Sequence, residues 1–443
     1  MRQGRRSSLV VLFANVVLVL ASAPGLLGQD TAVRAAEVAQ SSPQDPAPSP
    51  ATDDRKTATK ERLIDRLRIR LEGHEQHISG PGPGLGARGF HPLVGVIVPG
   101  SGLSTGLDYQ DLRLGGSPIG LDAAAEVSYG GFQVYRLQVG FLEHRDTTET
   151  LQPVDAKVTS LFNDHASKSR GVAAFADLRY LRYPAAVFYG VGPGARRVDG
   201  LDYLLLGALV DGVVQYQFTR NFGVSGRVGW LAPGLGGGPD QALQTRFDAG
   251  TAPGLADVPD FLTTGVAAVF DARDEPSDPH RGNFLGAAVW RFDGLGGKAY
   301  DFVRVTGDAR WYHPLFDPRG VLALRALASA ETPGPGAKVP FYLEQTLGGN
   351  EILRGFAPHR FRDRALAALS AEYRWRMNSY LDVGPFVDAG TVGPGLAKLA
   401  VRNLEVSGGV RAGLRYKGRV LFHFGWGYGR EGQRVFLGAG TVF

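Results

Sequence analysis

Ala367-Ala368-Leu369-Ser370-Ala371-Glu372-Tyr373-Arg374-Trp375-Arg376-Met377 alternates without a break. Successive side chains of an extended strand point to opposite sides. Ala367, Leu369, Ala371, Tyr373, Trp375 and Met377 therefore share one face, and Ala368, Ser370, Glu372, Arg374 and Arg376 share the other. One face suits lipid and the other suits water or a polar lumen, as in a transmembrane β-barrel strand.

The same reading extends outward in both directions. The pattern predicts strands at Leu93–Val98, Leu103–Leu114, Gly120–Tyr129, Phe132–Leu142, Val172–Tyr183, Tyr203–Phe218, Phe222–Leu231 and Leu262–Ala272. Further strands are expected at Phe284–Phe292, Phe302–Tyr312, Val321–Ala330, Ala365–Met377, Leu381–Val392, Leu404–Tyr416, Arg419–Tyr428 and Arg434–Phe443. Sixteen segments make an even number, as single-chain bacterial barrels have, and Glu143–Arg170 leaves room to hide or replace one. Val420, Phe422, Phe424, Trp426 and Tyr428 form a lipid-facing row opposite His423, Gly425 and Gly427. Arg304, Thr306, Asp308 and Arg310 oppose Val303, Val305, Ala309 and Trp311, so charge lines the lumen. Thr219-Arg220-Asn221 and Asn378-Ser379 suit periplasmic turns, whereas the Gly/Pro-rich stretches Ala232–Phe261 and Glu331–Asp363 suit extracellular loops.

Composition agrees. The 443 residues include 62 Gly and are 44% hydrophobic. Yet after the first thirty residues no apolar run approaches the roughly 18 to 20 residues of a transmembrane helix. A helical membrane protein is excluded, and a soluble β-sandwich is the weaker alternative. The net charge of +5 is spread along the chain rather than clustered with aromatics, which argues against a nucleic-acid partner. With no Cys, disulfides, thiol chemistry, Cys-ligated metals and a lipoprotein anchor are all absent.

Arg2, Arg5 and Arg6 precede an apolar stretch from Leu9 to Ala21, so residues 1–28 read as a secretory signal peptide. Residues 29–55, with Pro43, Pro46, Pro48 and Pro50, read as a disordered periplasmic tether. Residues 56–89 read as a short amphipathic helix and a Gly/Pro linker, and residues 90–443 as the barrel. The last segment places Val435, Leu437, Ala439 and Phe443 on one face, which makes Phe443 the lipid-facing end of the closing strand.

Phe270-Asp271-Ala272-Arg273-Asp274 with Pro279-His280-Arg281-Gly282 resembles the strand-to-turn signature of the bacterial surface antigen barrel, the membrane domain of the BamA/TamA-type outer-membrane assembly superfamily. Asp271, Arg273, Asp274, Pro279 and Gly282 carry that likeness. Leu353-Arg354-Gly355-Phe356 resembles the superfamily's inner-loop motif, and Arg360-Phe361-Arg362-Asp363 resembles the residues next to that motif. Phe386-Val387-Asp388-Ala389-Gly390 resembles its Phe-x-Asp-x-Gly strand motif. The resemblance covers roughly Phe90 to Phe443 and is most specific in the second half. It implies an all-β, sixteen-stranded transmembrane antiparallel barrel with an extracellular loop folded inward. A guanidinium entering a partly dry lumen needs carboxylates, so Arg354 is expected to lock onto Glu372 and Asp388, with Gly355 letting the loop tip turn sharply and pass close to the wall and Phe356 packing against lumen residues.

Members of that superfamily usually carry POTRA domains before the barrel, and residues 29–89 are too short and too low in complexity for one, so the chain reads as POTRA-less. The implied function is outer-membrane protein insertion, translocation or envelope biogenesis; a passive pore or structural barrel is the alternative. The partners implied are outer-membrane lipid, unfolded outer-membrane proteins and a separate periplasmic POTRA or chaperone protein.

No enzyme activity, cofactor or metal is expected. Gly102-Leu103-Ser104-Thr105-Gly106 has nucleophile-elbow spacing but begins a strand, without the strand-turn-helix that motif requires. Gly84-Leu85-Gly86-Ala87-Arg88-Gly89 lacks a preceding strand and a following helix. His74 and His77 lack a convincing third ligand, and His423 reads as a hydrogen-bonded wall residue.

Overall fold

A computed structural model describes residues 88–143, 145, 170–237, 243–248, 250–276, 278–316, 319–416 and 419–443. The expected signal peptide, tether and amphipathic helix lie outside them, as does most of Glu143–Arg170.

The described chain is an antiparallel barrel. Its strands are β1 (Arg88–Gly95), β2 (Ser104–Asp111), β3 (Gly120–Ser128), β4 (Gln133–Phe141), β5 (Gly171–Phe188), β6 (Leu201–Gln217), β7 (Phe222–Gly237), β8 (Phe261–Asp271), β9 (Gly282–Gly294), β10 (Phe302–Pro314) and β11 (Gly320–Pro333). They continue with β12 (Gln345–Leu347), β13 (Phe361–Asp363), β14 (Ala365–Arg376), β15 (Leu381–Gly393), β16 (Glu405–Tyr416), β17 (Arg419–Gly429) and β18 (Gly432–Ala439). Sixteen of these form one sheet in chain order; β12 and β13 pair only with each other, in the long connection between β11 and β14. Each of the sixteen expected segments falls on one strand of the wall.

The alternation in Ala367–Met377 is realised on β14. Leu369 is 62% exposed on the outer wall, while Glu372 and Arg374 are buried in the lumen. The outer wall also exposes Val305 and Trp311 on β10 and Phe424, Trp426 and Tyr428 on β17, whereas Arg304, Asp308 and His423 are buried inside. Removing inward charge from water is tolerated only with partners. Those partners are local: Asp308 takes Arg310 and Arg325 from the same and the next strand, and Arg227 bridges Asp177 and Asp211.

Three strand ends differ from the expectation. β1 begins at Arg88 and stops at Gly95, because Ile97 and Val98 turn inward into the lumen core rather than continuing along the wall. β7 runs on to Gly237 through a stretch expected to be loop. There it pairs only with β6, Pro233 opposite Gly207, while β8 pairs no further than Leu231. A proline is tolerated on such an unpaired edge, where its missing N–H removes no ladder bond. The last strand stops at Ala439. The chain turns at Gly440 and carries Phe443 into the lumen, where it is 4% exposed against Tyr312, Val321 and Ala323. Phe443 is thus not the lipid-facing end of the closing strand. Burying the ring against three apolar wall residues and under Arg374 removes more of it from water than the outer rim would.

At the long-connection end the lumen is filled by an apolar cluster. Leu93, Phe132, Leu181, Phe188, Tyr203, Leu231, Phe261, Trp290, Phe292 and Phe302 of the wall surround Val339, Phe341, Tyr342 and Leu343 of the β11–β14 connection. The wall itself has a seam: β1 and β18 approach each other, but among the described residues no ladder joins them.

Candidate functional site

The β11–β14 connection folds into the lumen as a loop closed by the β12–β13 pair, with Gln345 opposite Asp363 and Leu347 opposite Phe361. At its tip Leu353 holds a left-handed backbone (φ 59°), which turns Arg354 toward the wall. Arg354 is completely buried. Its Nε and Nη2 donate to the two oxygens of Asp388 at 2.9 Å each, and its main-chain N–H donates to Asp388 Oδ2 at 2.9 Å. Nη1 donates to Glu372 Oε2, and the guanidinium lies 3.7 Å from the Phe386 ring centroid. The structure therefore brings together Arg354, Glu372 and Asp388. Ser370 is the residue opposite Asp388 and Phe386 the one opposite Glu372, so the two carboxylates sit diagonally on β14 and β15.

Gly355 is needed for a close approach rather than for a turn. A Cβ there would lie 2.6 Å from Ser407 Cβ and 2.9 Å from the Tyr428 carbonyl carbon, while its N–H donates to Ser407 Oγ at 3.2 Å. Phe356 packs with Leu347, Leu353, Phe361, Leu366 and Val392.

Two further arginines complete the centre. Glu372 Oε1 accepts from Arg374 Nε at 2.8 Å and from Arg411 Nε, so one carboxylate faces three guanidiniums. Arg411 also pairs with Asp382 at 2.9 Å, and Asp382 extends the chain of charges to Arg415 at 3.1 Å. The alternation of β14 places Arg374 on the polar face without naming its partners; Arg411 carries the same signal, an arginine in the alternation of β16.

The strand-to-turn residues form a second constellation under the short-turn end, joined to the first through Arg415 and Asp382. Arg273 forks onto Asp271 with two bonds of 2.9 Å and donates to Pro276 O at 3.2 Å. Asp274 Oδ1 accepts the main-chain N–H groups of Glu275, His280 and Arg281 at 2.9 to 3.2 Å. Burial works against its charge, yet these three donors hold its carboxyl below the usual range. Pro279 is buried and Gly282 opens β9. The turn reaches neighbouring strands: Asp278 pairs with Arg415 of β16 and, at 3.4 Å, with Arg376 of β14.

Chemically, the arrangement of the inner site holds a loop against the wall through ion pairs and hydrogen bonds. Its acids are paired, and among the described residues no cluster of His, Asp or Glu has metal-ligand geometry. His423, buried on the lumen wall, donates from Nδ1 to Gly440 O at 2.8 Å. Among the described residues outside the strands, one carboxyl has a buried oxygen with no hydrogen-bond partner. Glu344 is buried in the connection, its Oε2 without a hydrogen-bond partner. Burial pushes it up to about 8; Arg362 and Arg364 pull the other way, and Glu331 and Asp363 reinforce the rise. A raised acid stabilises the fold below its unfolded value, and that contribution is lost as pH rises through the folded one. Protease cleavage within residues 334–364 is therefore expected to accelerate as pH rises through about 8, and Glu344→Gln should flatten the profile. An equally steep profile in the glutamine variant would refute this.

Residues 241–429, spanning β8 to β17 and the inner loop, match the Omp85 superfamily domain. Over those residues the barrel resembles an Omp85 superfamily domain. The match falls on the half of the chain in which all three motifs lie. Among solved structures, the barrel is similar to BamA from Haemophilus ducreyi lacking POTRA domains 1-3, with TM-score 0.56 and 15% identity over 80% of this chain and 70% of that one. CdiB from Acinetobacter baumannii aligns with TM-score 0.45 and 9% identity over 80% of this chain and 60% of that one. No curated protein matches the sequence. At these identities the likeness to solved structures concerns the fold.

Proposed function

We propose that this chain works in the insertion or translocation of proteins at the outer membrane, without enzymatic chemistry, and that an incoming β-strand is accommodated at the β1/β18 seam. The observation that carries this reading is the seam itself. An unpaired edge is a template for strand addition, and barrels that serve only as walls abolish their edges. The partners on this reading are outer-membrane lipid, an unfolded outer-membrane protein as substrate, and a separate periplasmic POTRA-bearing or chaperone protein that delivers it.

The packed lumen weighs against a passive pore. Phe341 and Tyr342 fill one end and the Arg354 lock holds the loop across the middle. Proteoliposomes containing the chain should accelerate folding of an unfolded barrel substrate over empty liposomes, while single-channel recordings stay closed or flicker. A steady open conductance with no acceleration would instead make the protein a pore.

A further inference from the structure

The inner loop touches both banks of the seam. On the β18 side, Asn350 is buried; its Nδ2 donates to Leu437 O, and its Oδ1 accepts from Arg434 Nη2 at 2.7 Å. Arg434 Nη1 also donates to Gly349 O at 3.0 Å. On the other side, the loop packs on the β1–β2 connection. A Cβ on Gly349 would lie 2.8 Å from Pro99 Cβ, and one on Gly100 would lie 3.3 Å from Pro358 Cγ.

The bond to Leu437 has a direction that matters. In an antiparallel ladder, hydrogen-bonded and non-hydrogen-bonded pairs alternate along each strand. Gly440 N–H donates to Leu421 O of β17, and the register sets Gly438 opposite His423, Leu437 opposite Phe424 and Phe436 opposite Gly425. Counting back from Gly440 in steps of two, Gly438 and Phe436 direct their main-chain groups toward β17. Val435, Leu437 and Ala439 therefore direct theirs the other way, toward the seam. Asn350 caps a carbonyl of the open edge itself.

We infer that the inner loop is a clasp on the seam: Asn350, oriented by Arg434, occupies the edge of β18 while Gly349 and Pro358 grip the β1–β2 connection, so strand addition at that edge requires the clasp to let go. This deepens the proposed function and rests on it for its consequence, but the clasp is a physical contact that can be read without any substrate. Asn350 must be displaced before a partner strand can bond to Leu437. An edge capped by a side-chain amide is also protected from pairing with the wrong strand.

The chain has no cysteine, so nitroxide labels can be placed cleanly at Phe90→Cys on β1 and Val435→Cys on β18, both exposed on the outer wall. In the full-length protein in lipid nanodiscs, the label-to-label distance distribution should be narrow. Asn350→Ala should raise the population at longer distance about five- to tenfold, the size expected from losing one buried hydrogen bond. Asn350→Asp keeps the acceptor for Arg434 and loses the donor to Leu437, so it should widen the distribution as Ala does; it is the variant to read if Ala folds poorly. Distributions like the parent's in both, with the loop still protected from protease, would overturn the clasp. A widened seam with no insertion activity would leave the clasp standing and remove the proposed function instead.

Discussion

Glu372→Gln is expected to lower the stability of the folded barrel by about 3 to 5 kcal/mol, the usual cost of leaving buried charge without its counter-ion. It should also release the inner loop to protease. Glu372 is the one carboxylate on which Arg354, Arg374 and Arg411 converge. Neutralising it leaves Arg354 with Asp388 and Arg411 with Asp382, but Arg374 is left with the main-chain oxygen of Phe443. Arg354→Ala is a milder change in charge: Glu372 retains two arginines, and Asp388 is the group that loses its counter-charge. Both variants should loosen the loop, with Glu372→Gln the less stable of the two in thermal unfolding followed by heat-modifiable gel mobility. Arg354→Lys should rescue poorly, since an ammonium cannot fork onto Asp388 while also reaching Glu372. If Arg354→Ala proves the more destabilising, the three-arginine centre is not what holds the loop.

The difference between those variants marks what was legible in the residues. Alternation assigns a side chain to a face, and on β14 it assigned Glu372, Arg374 and Arg376 correctly to the polar one. It carries no information on which inward residue of another strand will reach it. Arg411 meets Glu372 only because β14, β15 and β16 stack in a particular register, Glu372 opposite Phe386 and Phe386 opposite Gly409. That register is a long-range property. The Arg354 pairing was readable because short motifs and one alternating strand each contributed a charged residue to the same lumen. Asn350 had no such signal: its role depends on the edge carbonyl of Leu437, a main-chain group that no side-chain pattern encodes. The extra strand length of β7 was hidden for a related reason, as Gly and Pro read locally as loop while the neighbouring β6 supplied a ladder.

Phe443→Ala should destabilise the purified, already folded barrel in detergent by about 3 to 5 kcal/mol, as large aromatic deletions in a core do. Read as a lipid-facing terminus, the residue would matter to assembly in the membrane and little to a barrel folded in a micelle. Placed in the lumen, it matters to the folded state itself. Its ring packs on Tyr312, Val321 and Ala323, and Arg374 stands 5.3 Å from its centroid while donating to its main-chain oxygen at 3.0 Å. Arg374 is in turn bonded to Glu372, so the segment after β18 is joined through one side chain to the centre that holds Arg354. Removing the ring should therefore also raise protease access to the inner loop, though less than Glu372→Gln does. Phe443→Leu should recover part of the stability, because the pocket is apolar on three sides, but not the contact with the guanidinium. A double-mutant cycle of Phe443→Ala with Arg374→Gln separates the two contributions: coupling between them is expected, since the residues touch, and the sum of the single effects should exceed the effect of the pair. Strictly additive effects, or a Phe443→Ala barrel that unfolds at the parent's temperature, would place the ring outside the lumen and return it to the lipid face.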